Sequence, residues 1–147
     1  MLEQFDKHKI IHIGGLDHPE SIAIGPNGEA YTTGTGGQVY RINLDTNSGE
    51  QFSSTEKRCL GQAVDADGNL YVAYAQGGTV LRVTPDGATS VYATGPGGSD
   101  FACPNYPAFD RHGDMYLSDS GDWSGEINGR LYKIPAGGGE AGQWFPE

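Results

Sequence analysis

The chain repeats itself with a period of about 40 residues, and this repeat limits its fold more than any other sequence feature. In each repeat a short apolar run leads to a turn ending in glycine, then to a segment with an aromatic residue, a second glycine-rich turn and an aliphatic segment with one basic residue. The turn glycines are 40 and 45 residues apart. The repeats are SIAIGPNGEAYTTGTGGQVYRI, GQAVDADGNLYVAYAQGGTVLRV and YPAFDRHGDMYLSDSGDWSGEINGRLYKI, with turn glycines Gly28, Gly68 and Gly113.

Each repeat continues into a further apolar segment, EQFSS, TSVYAT or GQWF, which predicts four strands per unit. Units of about 40 residues with four strands are typical of β-propeller blades. The 24 glycines and the apolar fraction of 36% favour short strands and tight turns over helices. The sequence therefore predicts an all-β fold of three four-stranded propeller blades, half of a six-bladed ring. A small β-sandwich is the alternative, and the repeat period disfavours it.

The predicted boundaries are an N-terminal segment at 1–17 and blades at 18–57, 58–100 and 101–147. Closing a propeller takes at least about four blades, so three cannot surround an axis. The segment KIIHI precedes the first blade as EQFSS precedes the second, which predicts an outer strand whose own blade is absent. Either self-association or a second propeller half is needed to close the ring, and the flanks of the first and third blades should be apolar.

Composition excludes several partners. The net charge is −10 and no Lys/Arg cluster is present, so the electrostatic attraction that drives nucleic-acid binding is missing. No stretch approaches the roughly 20 apolar residues of a membrane span. The N-terminus lacks the features of a signal peptide, which leads us to expect a cytoplasmic protein. The two cysteines, Cys59 and Cys103, match no zinc motif and are expected to be buried or partly buried apolar residues.

The repeat also predicts which polar residues meet at the channel mouth. Glu20, Leu60 and Asn105 each lie eight residues before a turn glycine, at the start of the innermost strand of a blade. Because equivalent positions in a propeller ring the axis, Glu20 and Asn105 should converge. A carboxylate and an amide oxygen suit a hard divalent cation, Ca²⁺ more than Zn²⁺. The alternative is that both side chains only satisfy backbone groups at strand starts.

The third repeat is longer because of the segment SGDWSGEING, which predicts a long loop between its second and third strands. Such loops often line a binding face, so Trp123 either forms a wall of a substrate pocket or covers the blade. His18 lies near Glu20 in sequence and is read as a solvated loop histidine rather than a general base.

The segment GLDHPESIAIGPNGEAYTTGTGGQVYRI resembles the opening blade of the SMP-30/gluconolactonase/LRE-like family and of the related strictosidine-synthase-like and paraoxonase-like six-bladed propellers. CPNYPAFDRHGDMYLSDS resembles their PND-x-x-x-D-x-x-G-x-x-Y-F-T-D segment. The resemblance runs along the whole chain but covers only the first half of the family's propeller. It implies a metal-dependent hydrolase acting on lactones or esters, with Glu20 as a metal ligand and Asn105 in the substrate pocket.

Two departures from the family pattern leave the substrate and the activity open. Tyr106 replaces the Asp of PND, and Cys103 stands where some lactonases carry an Arg. Asp119 and Ser120 match the family's TDS and could line the pocket, although a carboxylate at a strand end commonly caps the next turn. The alternatives to a lactonase-type enzyme are a non-catalytic binding propeller and an enzyme of the strictosidine-synthase type.

Overall fold

A computed structural model describes residues 10–145, and within that range nearly all regular structure is β-strand. Apart from a one-turn 3-10 helix at Pro96–Gly98, the described residues form no helix, and so none that could cross a membrane. In chain order the strands are β1 (Ala23–Ile24), β2 (Ala30–Thr33), β3 (Gln38–Asn43), β4 (Ser48–Ser54), β5 (Gln62–Val64), β6 (Leu70–Tyr74), β7 (Thr79–Val83), β8 (Thr89–Thr94), β9 (Pro104–Phe109), β10 (Met115–Asp119), β11 (Arg130–Ile134), β12 (Gly139–Glu140) and β13 (Gly142–Phe145).

The strands form three sheets, one for each sequence repeat. β1 to β4 make the first sheet and β5 to β8 the second, while β9, β10, β11 and β13 make the third, each antiparallel in sequential order. This is the order of strands in a propeller blade. The segments EQFSS, TSVYAT and GQWF lie within β4, β8 and β13, the outermost strands. The prediction of three four-stranded propeller blades is confirmed.

The turn between the first two strands of each blade has the same geometry. The final glycine has a positive φ, which residues with a Cβ rarely adopt, and its N–H donates to the carbonyl three residues earlier. Glycine is thus required at this position of the repeat. The φ values are 88° at Gly28, 81° at Gly68 and 85° at Gly113, and the acceptors are Gly25, Asp65 and Asp110.

The core lies between the blades, because each sheet buries the face that it turns to its neighbour. The inner strand β1 contacts β5, and β5 and β6 contact β9, so the blades follow one another around a common centre. One buried cluster separates the first and second blades, and another separates the second and third. Their members are Tyr31, Val39, Cys59, Leu70, Val72, Leu81 and Val83 in the first, and Tyr71, Ala73, Val80, Ala93, Phe101, Met115, Leu117, Ile134 and Ala141 in the second.

Hydrogen bonds also join successive blades at their outer edges. Arg41 Nη2 donates to the carbonyl of Pro85 at 2.7 Å, and Ser53 Oγ donates to the carbonyl of Gly87 at 2.7 Å. The short strand β12, from the connection that precedes β13, pairs in parallel with β8 and gives the second sheet a fifth strand. The blades are therefore held by backbone pairing as well as by apolar packing.

The N-terminal segment lies against the open side of the first blade. The side chain of Leu16 packs over Gly49, and the N–H of Asp17 donates to the Tyr40 hydroxyl at 3.3 Å. Residues 10–13 of the KIIHI segment form no strand, which corrects the outer strand expected there; Lys9 lies outside the described residues. The physical reason is that a strand needs a neighbouring edge for its backbone groups, and none of the three described sheets offers one to these residues.

The turn of the second blade contains a polar network centred on Asp65. One carboxylate oxygen accepts the N–H groups of Asp67 and Asn69, and the other accepts the Asn69 side-chain amide and the Tyr71 hydroxyl, both at 2.8 Å. Arg82 Nη2 donates to Asn69 Oδ1 at 2.9 Å, which ties β7 to the turn. Burial raises the pKa of Asp65, but these hydrogen bonds outweigh it and leave the pKa below 3.8.

We expect Asp65→Ala to lower the free energy of unfolding by about 3 kcal/mol, because it leaves several half-buried donors without their acceptor. Since the folded-state pKa of Asp65 is lowered, its contribution is complete above pH about 4 and is lost as the pH falls through the folded-state value. Urea unfolding of the two proteins from pH 7 to pH 2 measures both effects. Asp67→Ala, at an exposed acid of the same turn, is the control; an equal loss in both variants would contradict the prediction.

Candidate functional site

The structure places the starts of the three inner strands side by side. Ser21, directly after Glu20, donates through Oγ to the carbonyl of Leu60 at 3.2 Å. Gly61, directly after Leu60, donates its N–H to the carbonyl of Asn105 at 2.7 Å. The positions that the repeat predicted to be equivalent are thus linked in sequence around the central channel. Leu60 therefore lies between Glu20 and Asn105 along this row of strand starts.

The carboxylate of Glu20 has a partner that the sequence analysis missed. Arg58 Nη2 lies 2.7 Å from Glu20 Oε1, with the two side chains 42% and 46% exposed. An ion pair this exposed typically contributes no more than about 1 kcal/mol. Arg58 precedes Leu60 by two residues, as His18 precedes Glu20 and Cys103 precedes Asn105, so the repeat itself was the signal that could have found it.

The backbone of Arg58 makes two hydrogen bonds with Gln76, whereas part of its guanidinium lacks a partner. Its N–H donates to Gln76 Oε1 at 3.2 Å, and its carbonyl accepts the N–H of Gln76 at 3.3 Å. Among the described residues, the buried Nε of Arg58 has no hydrogen-bond acceptor. The guanidinium of Arg58 therefore places a positive charge beside the exposed carboxylate of Glu20.

Asn105 is oriented by the loop of its own blade. Its side-chain Nδ2 donates to Ser120 Oγ at 2.8 Å, which turns the amide nitrogen toward the loop at 120–129. Within the described residues no donor reaches its amide oxygen, so that oxygen can serve as a ligand. No group of three or more His, Cys, Asp or Glu side chains in residues 10–145 is arranged to hold a metal ion. Glu20 and Asn105 therefore form at most part of a cation site.

Asp119, at the end of β10, has a structural role. One carboxylate oxygen accepts the N–H groups of Cys103 and Gly121, both at 2.8 Å, and the other accepts the N–H of Ala102 at 2.9 Å. The side chain is only 5% exposed. Its hydrogen bonds hold the segment before Asn105 and the start of the long loop together, as the turn-capping alternative describes.

Tyr106 and Trp123 occupy exposed positions. Tyr106 is 46% exposed, and its ring lies against Gly61, where any Cβ would collide with it. The predicted loop of the third blade spans residues 120–129, between β10 and β11, and its Trp123 is 77% exposed. Trp123 thus does not cover the blade, and of the two alternatives only a wall of a binding pocket stays open as a prediction.

His18 is exposed and lies next to a carboxylate. Its Nδ1 is 2.8 Å from Asp17 Oδ1. The hydrogen bond from His18, followed by those from Thr35 and Gly36, lowers the pKa of Asp17 to about 2. The second oxygen of Asp17 accepts Thr35 Oγ1 at 2.8 Å, so this acid anchors the connection into the first blade. Both His18 and Asp17 belong to a surface loop.

The two cysteines are free, as expected. Cys59 is buried and Cys103 is partly buried. Burial raises the pKa of the Cys59 thiol to about 11, although a hydrogen bond with Thr55 lowers it somewhat. A thiol with such a pKa is almost wholly protonated at neutral pH and is a poor nucleophile.

Comparisons with known proteins agree with this fold. Residues 4–42 match the family model described as strictosidine synthase-like, N-terminal. A lactonase, drp35, of Staphylococcus saprophyticus is 27% identical over 104 residues, which cover 67% of this chain and 32% of the lactonase.

Solved β-propeller structures cover 73% to 87% of this chain. A gluconolactonase of Xanthomonas campestris has a TM-score of 0.73 at 16% identity, a virginiamycin B lyase of Staphylococcus aureus 0.66 at 14%, and the calcium-binding protein regucalcin of Agrobacterium tumefaciens 0.59 at 23%. The chain spans less than half of each of these proteins, between 40% and 47% of their length. The chain is thus similar in sequence to the strictosidine synthase-like model and to the lactonase, and it shares the β-propeller fold of the gluconolactonase and of regucalcin.

Proposed function

We propose that this chain forms half of a metal-dependent hydrolase of the lactonase type, which becomes active when a second half completes the ring. The observation that carries the proposal is the position of Glu20 and Asn105 at the starts of the first and third blades, which the start of the second blade links by hydrogen bonds. The lactonase relative supports the substrate class, a lactone or an ester.

Glu20 and Asn105 would hold a divalent cation, and their oxygen atoms favour Ca²⁺ over Zn²⁺. When bound there, a cation would supply electrostatic stabilisation for negative charge developing on a carbonyl oxygen of the substrate. Since Ca²⁺ takes six to eight oxygen ligands, two side chains from this chain fit part of the site, and the rest belongs to the completing half. Regucalcin, a structural neighbour of the same fold, is described as calcium-binding.

The chain's own residues would also shape the substrate pocket. Tyr106 presents its half-exposed ring next to Asn105, and Trp123 presents an exposed indole from the loop above. Both can contact the apolar part of a small ester or lactone. Asp119, by contrast, has its oxygens taken by backbone N–H groups and would act by holding Asn105 and the loop in place.

Calcium binding can be tested without a substrate. We expect Ca²⁺ at millimolar concentration to raise the melting temperature of the assembled protein, because a ligand that binds only the folded state stabilises it. Glu20→Gln should remove most of this shift, since it deletes the negative charge while preserving the size of the side chain. Differential scanning calorimetry with and without Ca²⁺ measures the shift.

Glu29→Gln is the matched control, because Glu29 is another acid of the first blade, in the turn that leads into β2. That variant should keep the wild-type response to Ca²⁺. A wild-type protein that shows no thermal shift with Ca²⁺ or Zn²⁺ in its assembled form would contradict metal dependence.

Removal of Arg58 should strengthen cation binding. Its guanidinium occupies the Glu20 carboxylate and repels an approaching cation. Because the exposed ion pair is worth about 1 kcal/mol at most, we expect Arg58→Ala to lower the Kd for Ca²⁺ by about three- to tenfold. Isothermal titration measures this, with Arg58→Lys, which keeps the charge, as the control. Weaker binding in Arg58→Ala would show that Arg58 does not compete with the cation.

A non-catalytic binding propeller is the second candidate, and the Glu20–Arg58 ion pair favours it. An enzyme of this type needs Glu20 free, whereas here it is neutralised by a neighbouring base. Tyr106 and Cys103 also replace residues that the resemblance associates with the pocket. The strictosidine synthase-like match ends at residue 42, before Arg58 and Asn105, and so says nothing about the chemistry of this site. The calcium experiment separates the first two candidates.

A further inference from the structure

The third strand of each blade carries one basic residue, directly across from the tyrosine of the second strand. In the first blade this basic group lies over an aromatic ring, with Arg41 Cζ 4.5 Å from the ring centroid of Phe52. In the third blade Lys133 Nζ lies 5.7 Å from the ring centroid of Tyr116. A cation in such a position is attracted by the electron-rich face of the ring. The cross-strand pairs are Tyr31–Arg41, Tyr71–Arg82 and Tyr116–Lys133.

At the junction of the first and second blades, the guanidinium of Arg41 fills a site between them. It lies over Phe52 of β4, and its Nη2 donates to the carbonyl of Pro85 in the turn between β7 and β8. This turn packs closely on β4, since a Cβ on Gly87 would collide with the carbonyl oxygen of Phe52. An aromatic face of one blade and a turn carbonyl of the next thus hold a cation between them.

The junction of the second and third blades is built in the same way. The turn that follows β11 packs on Tyr92 of β8, and a Cβ on Gly138 would collide with the carbonyl oxygen of Tyr92. Gly138 is therefore the equivalent of Gly87. Counting back two residues from each glycine makes Ala136 the equivalent of Pro85.

The basic residue of the second blade does not fill the equivalent site. Arg82 Nη2 donates to Asn69 Oδ1 at 2.9 Å, within the network around Asp65. No cation from residues 10–145 lies over the ring of Tyr71 or of Tyr92. The second and third blades instead enclose a cavity of about 450 Å³, which Tyr92 and the turn at 136–137 help to line.

The cavity has aromatic walls and an acidic rim. Tyr92 and Phe109 stand nearly perpendicular to the ring of Tyr71, at interplanar angles of 72° and 81°. At the rim, one carboxylate oxygen of Asp110 accepts two N–H groups of its own turn. Among the described residues no hydrogen-bond donor reaches its other oxygen, so that oxygen can accept from a ligand.

Charge at the cavity favours a cationic ligand. The carboxylates of Asp65 and Asp110 line it, against the guanidinium of Arg111. Arg111 is exposed, and its Nε donates to His112 Nε2 at 3.1 Å. The whole chain carries a net charge of −10, which adds a long-range attraction for cations.

The cavity is separate from the channel mouth. The inner strands β5 and β9 begin near Leu60 and Asn105 and end at Val64 and Phe109, both of which line the cavity. It therefore opens at the end of the blades opposite Glu20.

We propose that this cavity binds a small organic molecule that carries a guanidinium group. The group takes the position that Arg41 occupies at the first junction, over the ring of Tyr92 and within reach of the Ala136 carbonyl and of Asp110. A planar guanidinium suits such a site because it stacks on an aromatic face while its N–H groups donate to carbonyl and carboxylate oxygens. This binding does not depend on the proposed lactonase function.

Titration of the full chain with ethylguanidinium, followed by ¹H–¹⁵N NMR, tests the proposal. We expect saturable binding, with the largest chemical-shift changes at 64–66, 109–113 and 136–137, which line the cavity. Ethylurea has nearly the same shape but no charge. It should bind about tenfold more weakly or less, because it loses both the attraction to the ring face and the ion pair.

Three variants locate the binding site. Asp110→Asn keeps an oxygen for the N–H groups of the turn but removes the charge, and it should raise the Kd about fivefold. Tyr92→Leu removes the aromatic face and should raise the Kd by a similar factor. Arg111→Gln removes a competing cation and should lower the Kd about threefold. Circular dichroism checks that each variant keeps its fold.

Two further variants serve as controls. Asp67→Asn removes an exposed acid next to the cavity, and Glu20→Gln removes the acid at the channel mouth; neither residue lines the cavity. Both should keep the wild-type Kd. The proposal is overturned by an absence of saturable binding, by equal affinity for ethylurea, by equal losses in Asp110→Asn and Asp67→Asn, or by shift changes centred on Glu20.

Discussion

The packing of one blade on the next is the interaction on which the rest of this structure depends. Each sheet has four strands in its repeat, and a single repeat of this kind cannot bury its hydrophobic face alone. The buried side chains lie between sheets, in one cluster at each of the two junctions. Removal of one blade would expose the apolar face of its neighbour.

Several acidic residues hold the backbone in place, whereas Glu20 does not. Asp65 and Asp119 accept several N–H groups each and fix a turn or a loop. Asp17 does the same for the connection into the first blade. Glu20 instead meets one partner, the guanidinium of Arg58, in an exposed ion pair. A carboxylate held in this way can exchange its partner at little cost, whereas Asp119 cannot leave its position without unsatisfied donors.

Arg58 changes the interpretation of the channel mouth. As long as the two equivalent polar residues are considered alone, Glu20 and Asn105 resemble an incomplete cation site. With Arg58 beside Glu20, the same region carries balanced charges and a buried donor without an acceptor. Under the proposed function, a cation would displace the arginine only if the completed ring supplied further oxygen ligands. The assembly of the ring and the chemistry of the mouth would then be coupled.

The sequence by itself determined the architecture, because the period of the glycine turns and of Tyr31, Tyr71 and Tyr116 follows directly from the repeat of one supersecondary unit. It also placed Glu20, Leu60 and Asn105 at equivalent positions, and the hydrogen bonds between neighbouring blade starts agree. Only the tertiary structure decided what each side chain contacts. Arg58 pairs with Glu20, 38 residues away in sequence, and the carboxylate of Asp119 accepts backbone N–H groups near Cys103. The first contact depends on the angle between two blades and the second on the path of a loop, and a repeat in one dimension encodes neither.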